Sequence, residues 1–450
     1  MSAQVGELRR PDPVEGGRRA IVWSDERRRL GACLLTGLIV ALMTGPSGTS
    51  SNLAGGFRGS WLNPRVVVFL LAGALLWAAF AFYDRYAGAV RTLAARGSTA
   101  RSRYLGQPRI RFGLYVGLLL VAILYPPYLS PFWQTVLVQQ IGIYVLLAIG
   151  LNVVVGFAGL LDLGYIAFYA IGAYSAAYWT GMLPAHPPIR LNMFLIFPLA
   201  VVAAMIAGVV LGTPTLRLRG DYLAIVTLGF GEIITIVVRN LDSVTNGPRG
   251  AAGLPHFAVN LGGLHYDWGL SSIRYYYLLL AFVLLVLVAF HFLEDSRVGR
   301  AWTAIREDEV AAAASGVPTL KYKVMAFSIG ASTSGFAGVI FASNVGYINP
   351  QSFLIQQSIL VLVLVIFGGM GSIWGALLGA AVLQWLPQFL RGRVAPEDLF
   401  IYFGALLVVM MIFRPQGILP SRRRAREIRL SEAGVGEADA MSAPPGGGRP

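Results

Sequence analysis

The sequence has few charged residues for a chain of 450 residues. Asp, Glu, Lys and Arg together make up 13% of it, whereas soluble domains carry about 25%. Hydrophobic residues make up 56% of the chain, and its mean hydropathy is +0.64. This composition, spread over long apolar runs, predicts a polytopic membrane protein.

Cysteine and lysine are almost absent. Cys33 is the single cysteine, which excludes intrachain disulfides and thiolate metal clusters. Lys321 and Lys323 are the only lysines, and neither follows a glycine, so the chain has no recognisable phosphate-binding P-loop. The histidines show no HExxH spacing, and no GxSxG motif occurs. A membrane-embedded enzyme is therefore the weakest functional class, and we expect this chain to bind no cofactor or metal.

The formal net charge of +14 comes from arginines that cluster at the chain ends and in short loops. That placement is typical of membrane topology signals and does not indicate a nucleic-acid partner. The loop Asp84–Arg111 is the clearest case, since it contains several arginines and a single acidic residue. Contact with anionic lipid is an alternative role for this loop, beside topology alone. Arginine placement predicts that both termini and this loop are cytoplasmic.

The apolar runs predict an all-α polytopic membrane protein with about 10–12 transmembrane helices. We divide the chain into four parts. They are a cytoplasmic head at 1–29, N-terminal membrane helices with the Arg-rich loop at 30–111, a core at 112–415 with a polar loop at 294–323, and a tail at 416–450. The tail is rich in Pro and Gly and is predicted to be disordered.

Two apolar runs are interrupted by closely spaced glycines, at Val153–Gly164 and Leu364–Gly375. Matching interruptions in two halves of a membrane protein are typical of broken helices beside a translocation path. Close packing of helices through small residues is an equally good explanation.

Five residues are candidates for a pathway, because ionisable groups in a membrane are usually functional and because a glycine interruption is expected beside a translocation path. They are Asp162, Gly164, Tyr165, Tyr169 and Glu232. Each has an ordinary alternative. Glu232 is equally well explained by a hydrogen bond to Thr227 or Thr235, Asp162 by capping of a half-helix, and the tyrosines by aromatic packing.

The segment Gly299–Lys323 is a polar island between two apolar runs. Its sequence predicts one or two short helices outside the bilayer, with acidic residues at the start of the second helix and a Gly-Val-Pro ending. Trp302 is expected to be exposed. We interpret this island as a docking site for a cytoplasmic partner, with a plain solvated loop as the alternative.

Six stretches, taken in order over Gly150–Pro420, resemble membrane permease subunit M of the high-affinity branched-chain amino acid ABC importers; residues 1–110 match it only in general character. They are GLNVVVGFAGLLDLGYIAFYAIGAYSAA, LRLRGDYLAIVTLGFGEI, VTNGPRG, GRAWTAIREDEVAAAASGV, VLVIFGGMGSIWG and FRPQGILP.

The resemblance implies a subunit of a heteromeric importer in a bacterial inner membrane. Its expected partners are a second permease, two cytoplasmic ATPases that use ATP, a periplasmic binding protein and membrane lipid. The island then corresponds to the loop that couples to an ATPase, with Trp302, Glu307, Glu309, Ala312 and Gly316 as the coupling residues. Two other functions stay open: import of urea or short amides, and a stand-alone ion-coupled transporter.

Overall fold

The computed structural model describes residues 108–215, 221–261, 264–391, 404, 410 and 417–419. The predicted head, the first two predicted membrane helices, most of the Arg-rich loop and most of the tail lie outside these residues. The chain divides into two compact units, residues 1–121 and 122–450. The described part of the first unit, residues 108–121, is helical.

The described residues are mostly helical, as the sequence predicts. The longer helices are α1 Pro108–Leu124, α2 Pro131–Phe157, α3 Ile166–Thr180, α4 Met193–Thr215, α5 Asp221–Asn240, α7 Ser272–Asp295, α8 Arg297–Glu307, α10 Thr319–Val345, α11 Ile355–Gly368 and α12 Ile373–Leu390. The short helices are α6 Asp242–Thr245 and α9 Glu309–Ala314, and 3₁₀ turns occur at Pro126–Tyr128, Gly247–Arg249 and Pro350–Phe353.

Within the described residues, seven helical segments are long and apolar enough to cross a membrane. They contain α2, α4, α5, α7, α10, α11 and α12. This confirms a multi-pass, all-helical membrane protein. The N-terminal membrane helices predicted within residues 30–111, and most of the core beyond residue 391, fall in parts of the chain that are not described.

Helix α10 is the centre of the packing, and it is in close contact with α3 and α4. An ideal Cβ on Gly172 of α3 would lie 2.0 Å from the carbonyl oxygen of Gly335 on α10. One turn earlier on α10, an ideal Cβ on Gly208 of α4 would lie 2.8 Å from the Ala331 Cβ. Lipid provides no hydrophobic drive for helix association, so small residues that let backbones approach are the main source of this packing.

The polar loop between α5 and α7 contains short elements of its own. Strands β2 (Ala258–Leu261) and β3 (Leu264–Asp267) pair antiparallel, with Ala258 opposite Asp267. Strand β1 (Ala251–Ala252) pairs antiparallel with β4 (Tyr347–Ile348), just after the end of α10. Because α10 begins beside the island and ends beside β4, this loop and the island lie at opposite ends of the molecule.

Candidate functional site

The island folds as two short helices, as predicted, and each of them begins at a side-chain cap. The Ser296 hydroxyl accepts hydrogen bonds from the amides of Val298 and Gly299 at the start of α8, at 3.1 and 3.2 Å. The Asp308 carboxylate accepts from the amides of Val310 and Ala311 at the start of α9, at 2.8 and 3.0 Å. Side-chain acceptors satisfy amides that a helix start leaves free, so these caps fix where each helix begins.

The end of α9 is also as the sequence predicts. Gly316 has a φ of +83°, which favours glycine, and its amide donates to the Ala313 carbonyl at 3.0 Å. The Val317 amide donates to the Ala312 carbonyl at 3.1 Å, so two of the last carbonyls of α9 are satisfied.

The expectation that Trp302 is exposed is wrong. Its side chain is 0% exposed, and its indole nitrogen donates a hydrogen bond to the Tyr322 carbonyl at 2.7 Å. Ala301 and Ile305 are buried on the same side of α8. This apolar stripe packs on the first turn of α10 because burying a large ring there is more favourable than leaving it in water. Trp302 therefore anchors the island to the membrane domain.

The other predicted coupling residues differ in exposure. Glu307 and Gly316 are exposed, whereas Ala312 is buried. Glu309 lies between these extremes, with its side chain 27% exposed, and its carboxylate lies 2.6 Å from the Lys323 ammonium. The Lys323 side chain is only 4% exposed, so Glu309 neutralises a buried charge on α10.

The two glycine interruptions are helix breaks, and they meet in space. Residues 158–165 separate α2 from α3, and residues 369–372 separate α11 from α12. The Asn152 side-chain oxygen in α2 accepts a hydrogen bond from the Gly371 amide at 2.9 Å. An ideal Cβ on Gly156 would lie 2.5 Å from that same amide nitrogen. The two breaks thus form one junction. At Gly156 and Gly371 the segments are so close that a side chain larger than that of glycine does not fit without displacement.

The predicted pathway residues Asp162 and Gly164 lie in the break just before α3, against α5. Asp162 is buried, and one of its carboxylate oxygens accepts from the Gly164 amide at 2.9 Å. Its other oxygen is buried without a hydrogen bond of normal geometry from the described residues, although the Thr227 hydroxyl interacts with the carboxyl group. An ideal Cβ on Gly164 would lie 2.0 Å from the Thr227 carbonyl oxygen. Close contact between α5 and this segment therefore requires glycine at 164.

Tyr165 and Tyr169 are part of the core. Tyr165 is fully buried, and its hydroxyl donates to the Gly330 carbonyl of α10 at 3.1 Å. The Tyr169 ring packs against the rings of Phe341 and Phe353, with centroids 5.4 and 5.3 Å away. In this conformation both tyrosines make the aromatic contacts that were their alternative explanation, and neither presents a surface to a passing solute.

Glu232 differs from the other predicted pathway residues because it is only half-buried. The Thr235 hydroxyl donates to the carbonyls of Gly231 and Phe353, and the Thr227 hydroxyl donates to Ala224. Neither threonine is bonded to Glu232, so the hydrogen bond considered from the sequence is not formed. The Glu232 side chain makes no hydrogen bond or ion pair within the described part of the chain.

Sequence reasoning missed two residues at the junction, Asn152 and Arg306. Asn152 is fully buried in the apolar helix α2, and Arg306 lies in the last turn of α8. A polar residue inside an apolar run and a basic residue at a helix end were visible signals. Their partners at Gly371 and Gly156 are far away in the sequence, and only the fold brings them together.

Comparison with known proteins identifies the family. The family described as "Branched-chain amino acid transport system / permease component" matches residues 135–414, a range that includes the island and both glycine breaks. The high-affinity branched-chain amino acid transport system permease protein LivM of Escherichia coli is 40% identical over 309 residues, covering 65% of this chain and 71% of that protein. LivM of Salmonella typhimurium has the same identity and coverage. The permease protein LivH of Escherichia coli is 26% identical over 284 residues, covering 61% of this chain and 91% of that protein. No solved structure matches the chain. Since the family match covers more than half of its residues, the chain belongs to the permease components of branched-chain amino acid transport systems.

Proposed function

We propose that this chain is the transmembrane permease subunit of an ATP-binding cassette importer that moves branched-chain amino acids across the bacterial inner membrane. The observation that carries the proposal is the match of residues 135–414 to the permease family. Relatives at 40% identity are named as permeases of high-affinity branched-chain amino acid transport.

The importer would contain a second permease, two cytoplasmic ATPases and a periplasmic binding protein. Support for a second permease comes from LivH, a differently named permease protein that resembles the same chain. ATP would be bound and hydrolysed by the ATPases, because this chain has only two lysines and no P-loop glycine before either. Both termini would be cytoplasmic, on the same side as the island.

The island is suited to pass movement of an ATPase into the membrane domain. It lies between the long helices α7 and α10 and presents Glu307 and Gly316 on its outer side. On its inner side, Trp302 and the Glu309–Lys323 ion pair tie it to the start of α10. Because α10 is packed through glycines to α3 and α4, a shift of the island displaces several helices together.

The route for the substrate would run between the two permeases rather than through this chain alone. Asp162, Gly164, Tyr165 and Tyr169 are buried in tight packing, so they would act by positioning α3, and they would face substrate only after a conformational change. Glu232 is the predicted pathway residue that is accessible from outside the chain. Alternating access would open this route first outward and then inward.

The experiment is reconstitution of the two permeases and two ATPases in proteoliposomes with the binding protein. Uptake of radiolabelled leucine should require ATP, both ATPases and the binding protein, and unlabelled isoleucine and valine should compete. Unlabelled urea and acetamide test the alternative cargo. Leucine uptake driven by an ion gradient without the ATPases would overturn the proposal in favour of a stand-alone transporter.

A further inference from the structure

We propose that Arg306 is a positioning residue that links movement of the island to the two glycine breaks. The inference rests on the proposed function and adds a second mechanical connection to it. The first connection runs from the island to α10 through Trp302 and Glu309. The second runs through Arg306 to α2 and to the turn between α11 and α12.

Arg306 lies in the last turn of α8, and its side chain extends from the island to the junction. Its guanidinium donates a hydrogen bond to the carbonyl oxygen of Gly156, in the last turn of α2. The last carbonyls of a helix have no partner within the helix and carry partial negative charge. A cationic donor at this position therefore both satisfies the carbonyl and complements the end of α2.

The glycines of both breaks leave space for this one side chain. An ideal Cβ on Gly159, between α2 and α3, would lie 2.7 Å from the Arg306 Cγ. An ideal Cβ on Gly371, between α11 and α12, would lie 3.0 Å from its Nη1. Both glycines have positive φ, at +71° and +79°, so each is a turn that other residues rarely adopt. Arg306 thus lies against both turns at once.

Hydrogen bonds to the backbone connect the segments of the junction, so displacement of one segment displaces the others. Asn152 ties α2 to the Gly371 amide at 2.9 Å. The segment at 417–419 is tied to the end of α11, where the amides of Ile418 and Leu419 donate to the carbonyls of Phe367 and Gly368, each at 3.0 Å. Arg306 is a contact between the island and this junction, and the island itself is anchored on α10. When the island shifts, either α2 moves with it or the Arg306–Gly156 hydrogen bond is stretched or broken.

The type of side chain matters to this role. A guanidinium is a planar fork with several donors, and it bonds to one group while lying against another. A lysine ammonium keeps the charge and one hydrogen bond but has no planar group to fill the space beside Gly371. Lysine should therefore restore the link in part, whereas alanine should remove it.

The test compares Arg306→Ala and Arg306→Lys with Arg300→Ala in the reconstituted importer. Arg300 is the matched control, because it lies on the same helix, is exposed, and donates to the Asp295 carbonyl at 2.9 Å outside the junction. The measurements are leucine transported per ATP hydrolysed, the ATP hydrolysis rate, and recovery of all subunits in co-purification.

We expect Arg306→Ala to keep all subunits and to keep hydrolysing ATP, while leucine transported per ATP falls about tenfold, the order set by loss of one charge-assisted hydrogen bond. Arg306→Lys should recover part of the ratio, and Arg300→Ala, which removes an arginine from the same helix without touching the junction, should lower the ratio less than Arg306→Ala does. An unchanged ratio in Arg306→Ala overturns the inference alone. Loss of the ATPases from both Arg306 variants also overturns it, since Arg306 would then serve assembly or docking. ATP-independent uptake by the wild-type complex would overturn the proposed function and this inference together.

Discussion

The Glu309 carboxylate lies 2.6 Å from the Lys323 ammonium, across the turn that separates α9 from α10. The sequence predicts that Glu309 contacts a partner ATPase, and this ion pair gives it a role within the chain instead. Glu309 is already engaged within the chain, and Lys323 is almost completely buried beneath it. The pair holds α9 in place, and the exposed surface of the island is then left to other residues.

Removing the Glu309 charge should loosen the island. Glu309→Gln leaves a buried ammonium without its carboxylate, and breaking a fully buried pair costs about 3–5 kcal/mol. Because Glu309 is partly exposed, we expect a smaller loss of about 1–3 kcal/mol, with water replacing part of the interaction. The measurement is the thermal unfolding midpoint of the purified protein in detergent. Glu307→Gln is the control, since that neighbouring carboxylate is exposed.

The double variant Glu309→Gln, Lys323→Met separates loss of the pair from loss of the carboxylate alone. Replacing both charges removes the uncompensated ammonium, so the unfolding midpoint should return most of the way to the wild-type value. If the double variant is as unstable as Glu309→Gln, the ion pair is not what holds α9.

Removing the Trp302 ring should release the island from α10. Truncation of a buried Trp to Ala costs about 3–5 kcal/mol, and it also removes the hydrogen bond to the Tyr322 carbonyl. The loss is local, so limited proteolysis should cut near the Glu307–Glu309 turn while the membrane helices stay intact. Val310→Ala is the control, because Val310 lies in α9 with its side chain 60% exposed. Equal protection of both variants would contradict the anchoring role.

Gly164→Ala should destabilise the folded protein, and any loss of transport should follow from that destabilisation. The added Cβ would lie 2.0 Å from the Thr227 carbonyl oxygen, a backbone atom that cannot move alone, so we expect a destabilisation of at least about 1–3 kcal/mol. Gly229→Ala on α5 is the matched control, since nothing lies within 4 Å of its ideal Cβ and alanine favours a helix. The yield of monodisperse protein and the unfolding midpoint measure the effect. A well-folded Gly164→Ala protein that fails only in uptake would return Gly164 to the pathway.

Local features of the island and the breaks could be predicted from the sequence because they depend on nearby residues. The acidic residues at the start of α9, its ending at Gly316 and the glycine interruptions are short-range signals that mark where helices begin and stop. The burial of Trp302 could not be predicted this way. An apolar stripe on a short helix can pack equally well against a partner protein or against the membrane helices of its own chain. The contacts Gly164–Thr227 and Asn152–Gly371 join distant segments, and no local pattern indicates them.

The island and the β2–β3 hairpin should be reachable from opposite sides of the membrane. Arg300 on the island is exposed, and Leu270 beside the hairpin is 82% exposed, at the two ends of the 24-residue helix α7. In a Cys33→Ser background, a cysteine at Leu270 should react with an impermeant reagent added outside. Cysteines at Arg300 and Arg96 should react only after the membrane is opened, as the positive-inside rule predicts. Outside labelling at Arg96 or Arg300 would overturn the proposed topology.

Glu232 separates the two transport mechanisms that its position on α5 allows. Its neighbours Ile233 and Ile236 are 58% and 52% exposed, so this part of α5 faces lipid or another subunit, and an unpaired carboxylate in lipid is costly. If the importer is ATP-driven, we expect the carboxyl group to act as a hydrogen-bonding group towards the second permease, with no proton or ion bound to it. Glu232→Gln keeps that hydrogen bonding and should retain ATP-dependent leucine uptake within about twofold. Glu232→Leu removes it and should reduce recovery of the second permease in co-purification. Ile236→Leu, which keeps an apolar residue on the same face, should leave both measurements unchanged. If Glu232→Gln instead abolishes uptake while all subunits are retained, the carboxylate takes part in the transport cycle itself, as an ion-coupled mechanism requires.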